Sequence, residues 1–153
     1  MGAVLMAGAS FGMDMGPLKR MVAGATRHMA RRQQVAEDIG EMLVSATQQR
    51  FEDEKGPDGT AWKPSHRAEA EGGKTLTDHA TLKNSIGYEA SPNLVVVGSN
   101  MEYARAHQEG MDISILSTRR RVTLPARPFI GINEEDMVEA RQIMIDFMAE
   151  AFL

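Results

Sequence analysis

Asp78 and His79 form the adjacent pair with the plainest chemical capacity in this sequence. A carboxylate beside an imidazole can hold a divalent cation or relay a proton, and with Glu109 the set would suit a small metal-dependent hydrolase or nuclease acting on DNA. The other histidines, His28, His66 and His107, do not support that reading, because none falls at the H-x-x-x-H or H-E-x-x-H spacing that puts two ligands on one helix face. Gly8-Ala9-Ser10-Phe11-Gly12 spells G-x-S-x-G, yet a nucleophile elbow needs an α/β sheet around it and this stretch stands at the terminus. Gly72-Gly73-Lys74-Thr75 resembles the end of a phosphate-binding loop, but Ala68 occupies the position of its first glycine and no apolar strand leads into it. Cysteine is absent, which removes disulfides, thiolate zinc sites and thiol nucleophiles and suits a reducing cytoplasm. No catalytic residue, metal site or cofactor is therefore expected.

Candidates for recognition are clearer. Arg119, Arg120 and Arg121 form a short basic run with no aromatic beside it, which leaves open a local DNA contact or an acidic protein partner. With a net charge of −4, the chain has no global attraction for nucleic acid or anionic membrane, so such a contact must be local. Arg127 stands on Leu124-Pro125-Ala126-Arg127-Pro128-Phe129-Ile130-Gly131, where two prolines fix φ and force the residues before them to be extended. A guanidinium on so stiff a strut serves either to anchor the strut or to present a recognition element. Trp62, the sole tryptophan, follows the Pro57-Asp58-Gly59 turn and reads as a packed lock on that turn or as an interface anchor. Twelve methionines suit core filling or a sticky, adaptable surface.

The elements that must position these residues follow from periodicity. Asp14 as a cap, Pro17 in a first turn, and Leu18, Met21, Val22 and Ala25 predict a helix; a second stretch, or its continuation, runs from about Gln33 to Phe51 on Val35, Ile39, Met42, Leu43 and Ala46. Arg27, Arg31 and Arg32 make a basic patch between them. Leu76 to Ile86 holds one or two helical turns with Leu76 and Leu82 inward. Ser91-Pro92-Asn93 joins an alternating run from Ser85 to the β-branched Leu94–Gly98, a β-hairpin. A short helix over Met101–Gln108 ends at Gly110. Asn133, followed by Glu134, Glu135 and Asp136, caps a final helix carrying Met137, Val138, Met144, Ile145, Met148 and Phe152. Segments 65–77 and 111–121 are expected as mobile loops, the second as a loop or hairpin ahead of a strand at Val122–Leu124. Residues 1–13 are expected as a flexible tail and 14–153 as one domain, within what 153 residues can bury around a single core. The fold expected is α+β: an N-terminal helical arm, a small antiparallel sheet of three to five strands, and a C-terminal helix packed on one face. No apolar run approaches the roughly 20 residues of a membrane span.

Taken in order, Arg50-Phe51, Pro57-Asp58-Gly59 with Trp62, Leu76-Thr77-Asp78 with Leu82 and Ser85-Ile86, Val97-Gly98-Ser99-Asn100 with Tyr103-Ala104 and His107-Gln108-Glu109-Gly110, and Pro125-Ala126-Arg127-Pro128-Phe129 resemble the virion-morphogenesis, or tail-completion, family of Mu-like and P2-like tailed phages. The resemblance runs from about Asp14 onward; His79-Ala80-Thr81-Leu82 and Met111–Arg121 depart from it. It implies a non-enzymatic structural protein acting in tail completion or head–tail joining, placed in the host bacterial cytoplasm during assembly and then at the virion neck or tail. The partners implied are head–tail connector, tail terminator or tail tube proteins. Because tails are built from repeated copies, a ring-shaped homo-oligomer on the virion is expected as well. Trp62, Arg119, Arg120, Arg121 and Arg127 are the candidate interface residues.

Overall fold

The computed structural model describes residues 16–115 and 119–150. The expected tail, the Gly8–Gly12 motif, the Asp14 cap and Phe152 lie outside the described residues. Along the chain come α1 (Gly16–Asp53), α2 (His66–Glu71), α3 (Thr81–Asn84), β1 (Ile86–Ser91), β2 (Leu94–Ser99), α4 (Ala104–Glu109), β3 (Met111–Ile115), β4 (Arg120–Leu124) and α5 (Glu134–Glu150). The fold is α+β.

The two N-terminal helical stretches are one continuous α1 of 38 residues, about 57 Å long at 1.5 Å per residue. Two of its faces are covered. Ala36, Gly40, Thr47 and Phe51 are buried at helical spacing, and Gly40 lies directly under Tyr88 of β1, where a Cβ would stand 2.3 Å from Tyr88 Cδ2. The stripe of Val35, Ile39, Met42, Leu43 and Ala46 is half-buried. Val35, Ile143 and Phe147 line one groove along the seam with α5. Helix α5 thus packs on α1, with Arg31 over the Phe147 ring (5.2 Å to its centroid) and reaching Glu150 at 3.5 Å.

The expected hairpin is present as β1–β2, antiparallel with Ile86 opposite Ser99 and Ser91 opposite Leu94. The strands do not join into one sheet. They form two separate two-stranded ribbons, β1–β2 and β3–β4, with α4 and Gly110 between them. Gly110 has φ 76°, and a Cβ there would lie 2.8 Å from the Ala126 nitrogen, so the chain can turn into β3 against the strut only without a side chain.

Part of the 65–77 segment, expected as a loop, is helical, and the described part of 111–121 takes the hairpin alternative. Within 65–77, Ser65 caps α2, its Oγ accepting from the Ala68 N–H at 3.2 Å, and Gly72 (φ 71°) ends the helix in the left-handed conformation. The 111–121 segment forms most of the β3–β4 ribbon, with Ile113 opposite Val122. The core gathers Phe51, Trp62, Leu82, Ile86, Ala104 and Phe129, and the Phe51 ring is edge-on to Trp62 at 5.4 Å.

Candidate functional site

The proline strut pairs with no strand among the described residues, so its backbone polar groups need other partners, which side chains and one backbone carbonyl supply. Gln108, near the end of α4, takes the place of a β-strand: its Oε1 accepts from the N–H groups of Phe129 (2.9 Å) and Ile130 (3.0 Å), while its Nε2 donates to the Ile130 carbonyl at 2.9 Å. Arg50 Nη1 donates to the carbonyls of Phe129 (3.0 Å) and Gly131 (2.8 Å). The Arg127 N–H donates to the His107 carbonyl at 2.7 Å. An extended segment that would otherwise bury unpaired amides is thereby fixed in place.

Arg50 also reaches across to α5. Its Nη2 pairs with Asp136, and both side chains are almost wholly buried. Asp136 and Asn133 cap the helix reciprocally: Asn133 Oδ1 accepts from the Asp136 N–H (2.8 Å) and Asp136 Oδ2 from the Asn133 N–H (2.9 Å). The start of α5 is therefore set by a residue of α1.

Of the candidate interface residues, Trp62 and Arg127 turn inward. Trp62 is 6% exposed, and its Nε1 donates to the Pro128 carbonyl at 2.8 Å. Arg127 is 4% exposed and donates from Nε to the Lys63 carbonyl (2.7 Å) and from Nη2 to that of Pro64 (3.3 Å). Both hold the strut to the segment behind the turn from largely buried positions. Arg119, Arg120 and Arg121 are exposed on the β3–β4 ribbon, and none forms an ion pair with a described residue.

Beside the ribbon lies an open cleft of about 520 Å³, walled by Val122, Leu124, Leu76 and Tyr103, with His107 and Arg127 at its floor and Lys63 on its rim. Burial, then the Arg127 charge, pushes the His107 imidazole below its ordinary pKa, and its shielded Nδ1 has no hydrogen-bond partner among the described residues. Burial likewise lowers the Arg127 guanidinium. Asp78 and His79 do meet at the cleft, 3.7 Å apart, but Asp78 lies 3.5 Å from Arg67, and Glu109 is bound to Arg105 at 3.0 Å away from the lining. Among the described residues no three His, Asp or Glu side chains converge in a way that could hold a metal ion.

Arg50 and Gln108 stand in the sequence only among the residues that carry the family resemblance, with no bonding role assigned to either. Their signal was present in position: each is a polar residue next to a core element, where burial demands partners for its donors.

The sequence profile of the phage virion morphogenesis family matches residues 13–149. The chain belongs to the phage virion morphogenesis family. It is 32% identical over 126 residues to Mu-like prophage FluMu G protein 2 of Haemophilus influenzae, an alignment covering 82% of this chain and 83% of that protein. No solved structure matches it. Among the described residues no helix is long and apolar enough to cross a membrane.

Proposed function

We propose that this protein acts as a structural part in tail completion or head–tail joining, at the virion neck, and that it works by occupancy and not by turnover. Membership of a phage morphogenesis family supports the broad role. One structural observation carries the finer reading. Arg50, Trp62 and Gln108 are directed inward onto one strut and the strut's own Arg127 ties it to Lys63 and Pro64, while the β3–β4 ribbon and α5 leave Met111, Ile113, Val122, Val138, Met144 and Ile145 between 41% and 64% exposed. A stiff frame with uncovered apolar faces is suited to being built into a larger particle. The adjacent Asp78 and His79 offer a competing hydrolase, which requires further metal ligands.

Micrographs of particles from a phage lacking this gene test the proposal. Capsid and tail proteins should be made in normal amounts, and heads should accumulate unjoined, with tails absent or unfinished. Normal virions would overturn it.

A further inference from the structure

Val122, Thr123, Leu124 and Pro125 all line the cleft, and among the described residues none of β3 does. Successive side chains of a strand point to opposite faces, so a cleft touched by a consecutive run lies along the strand's backbone and not against one face. The cleft therefore follows the edge of β4 that β3 leaves free, and no strand of the described residues pairs with that edge. Such an edge is a row of open N–H and C=O groups, which an extended chain can satisfy.

Arg127 brings a second unmet demand into the same cleft. It is 4% exposed, yet it forms no ion pair with a described residue; Nε and Nη2 donate to the Lys63 and Pro64 carbonyls, and Nη1 has no partner. Arg50, also buried, is matched by Asp136. A buried charge is ordinarily paired, because its lost hydration must be replaced, and Arg127 lacks that counter-charge. His107 beside it feels the Arg127 charge and no negative one, and its Nδ1 is unpartnered among the described residues. Asp78 and Glu69 also line the cleft, but they face Arg67 (3.5 Å) and His66 (3.9 Å).

We infer that the cleft is a strand-addition site for an acidic segment of a partner protein: an extended chain pairs with the free edge of β4, seats apolar side chains against Val122 and Leu124, and brings an Asp or Glu carboxylate to Arg127. Backbone pairing supplies affinity, and the buried guanidinium selects the acid. Lys63, on the rim and without an ion pair among the described residues, adds to the attraction. A nucleic-acid backbone fits less well, since its repeated charges would meet Glu69 and Asp78 and its sugars an apolar wall. The site stands on this geometry, and its failure would leave the role in phage assembly untouched.

The test uses the full chain and a blocked peptide, acetyl-Glu-Thr-Val-Thr-Val-Thr-Glu-amide, whose symmetric ends serve either strand direction. Its twin carries Gln in place of both Glu. On titration with the acidic peptide, NMR signals of the backbone amides of β4 and the strut should shift, and hydrogen exchange in β4 should slow. The His107 pKa should rise, since a carboxylate then stands beside it. The Gln twin should bind roughly tenfold or more weakly and leave the His107 titration unchanged. In Arg127→Gln, shown folded by circular dichroism, the two peptides should bind alike; if that variant does not fold, the His107 titration in the native chain still decides. Equal binding of the two peptides to the native chain overturns the inference, as do shifts confined to β3 or to β1–β2, or none at millimolar peptide. A DNA oligonucleotide that moves the His107 and Arg127 signals at lower concentration than the peptide would assign the cleft to phosphate and overturn it. So would a native chain whose β4 edge is already protected in a dimer, which would assign the edge to a second copy.

Discussion

Arg50 and Asp136, 86 residues apart in sequence, form a buried ion pair that ties the end of the N-terminal helix to the first turn of the last one. Neither charge is left with a single contact. Arg50 also donates to two strut carbonyls, and Asp136 also caps its own helix, so their desolvation is met by several hydrogen bonds at once. Removing one partner strands the other. Arg50→Ala or Asp136→Ala should destabilise the fold by roughly 3–5 kcal/mol in urea unfolding, whereas Arg50→Met with Asp136→Leu should cost less than either single change. Equal losses from the double and the single variants would show that the charge pairing is not what stabilises this junction.

Gln108→Leu tests the side chain that substitutes for a strand. Its removal leaves the Phe129 and Ile130 amides without acceptors, at about 1–3 kcal/mol for each buried group left unpaired. Denaturant midpoints should fall accordingly. Hydrogen exchange at those two amides should accelerate more than at β1, and uniform acceleration would contradict a local role.

Trp62→Ala should lose roughly 3–5 kcal/mol, as expected for a buried aromatic. Arg120→Ala, on the exposed ribbon, should change unfolding stability by no more than about 0.5 kcal/mol. Similar melting shifts for the two would contradict the division between inward frame and outward surface.

His107 makes stability depend on pH in a defined direction. Its folded pKa lies below 6.5, so the unfolded chain binds more protons in the window just below that value. The neutral-histidine contribution is full above about pH 6.5 and is lost as pH falls through the folded value. Thermal melts of the native chain should drop from pH 7.5 to 5.5, and His107→Gln should show a smaller drop. At lower pH a second loss is expected from Glu52, whose carboxyl is held down to about 2 by Lys74 and Lys83; its contribution is present above 4.5 and disappears toward 2. Salt should weaken that second loss, since the group is exposed. An identical pH profile in His107→Gln would contradict the first part.

Much of this arrangement was legible in the residues. Proline fixes φ wherever it stands, so Pro125 and Pro128 announced an extended strut, and Asn133 announced the start of α5 because a cap acts over three residues. The β1–β2 hairpin was readable for the same local reason. What was not legible depends on distant pairing. Nothing near β3 and β4 says that they pair only with each other, and the inward turn of Arg127 is decided by carbonyls of Lys63 and Pro64, about 60 residues away. Helix α2 was missed differently: His66–Glu71 has no apolar stripe, yet Ser65, the alanines and Gly72 supplied a cap, good helix formers and a stop.

On the proposed role, the protein acts by being built into the particle. The direct measurement is a titration of purified protein into a lysate of phage lacking the gene, with infectious particles counted at each addition. Infectivity should rise in proportion to the protein added and then saturate, a fixed number of chains being consumed per virion. Many virions restored per molecule, continuing to rise with time at a trace of protein, would show turnover and contradict the account.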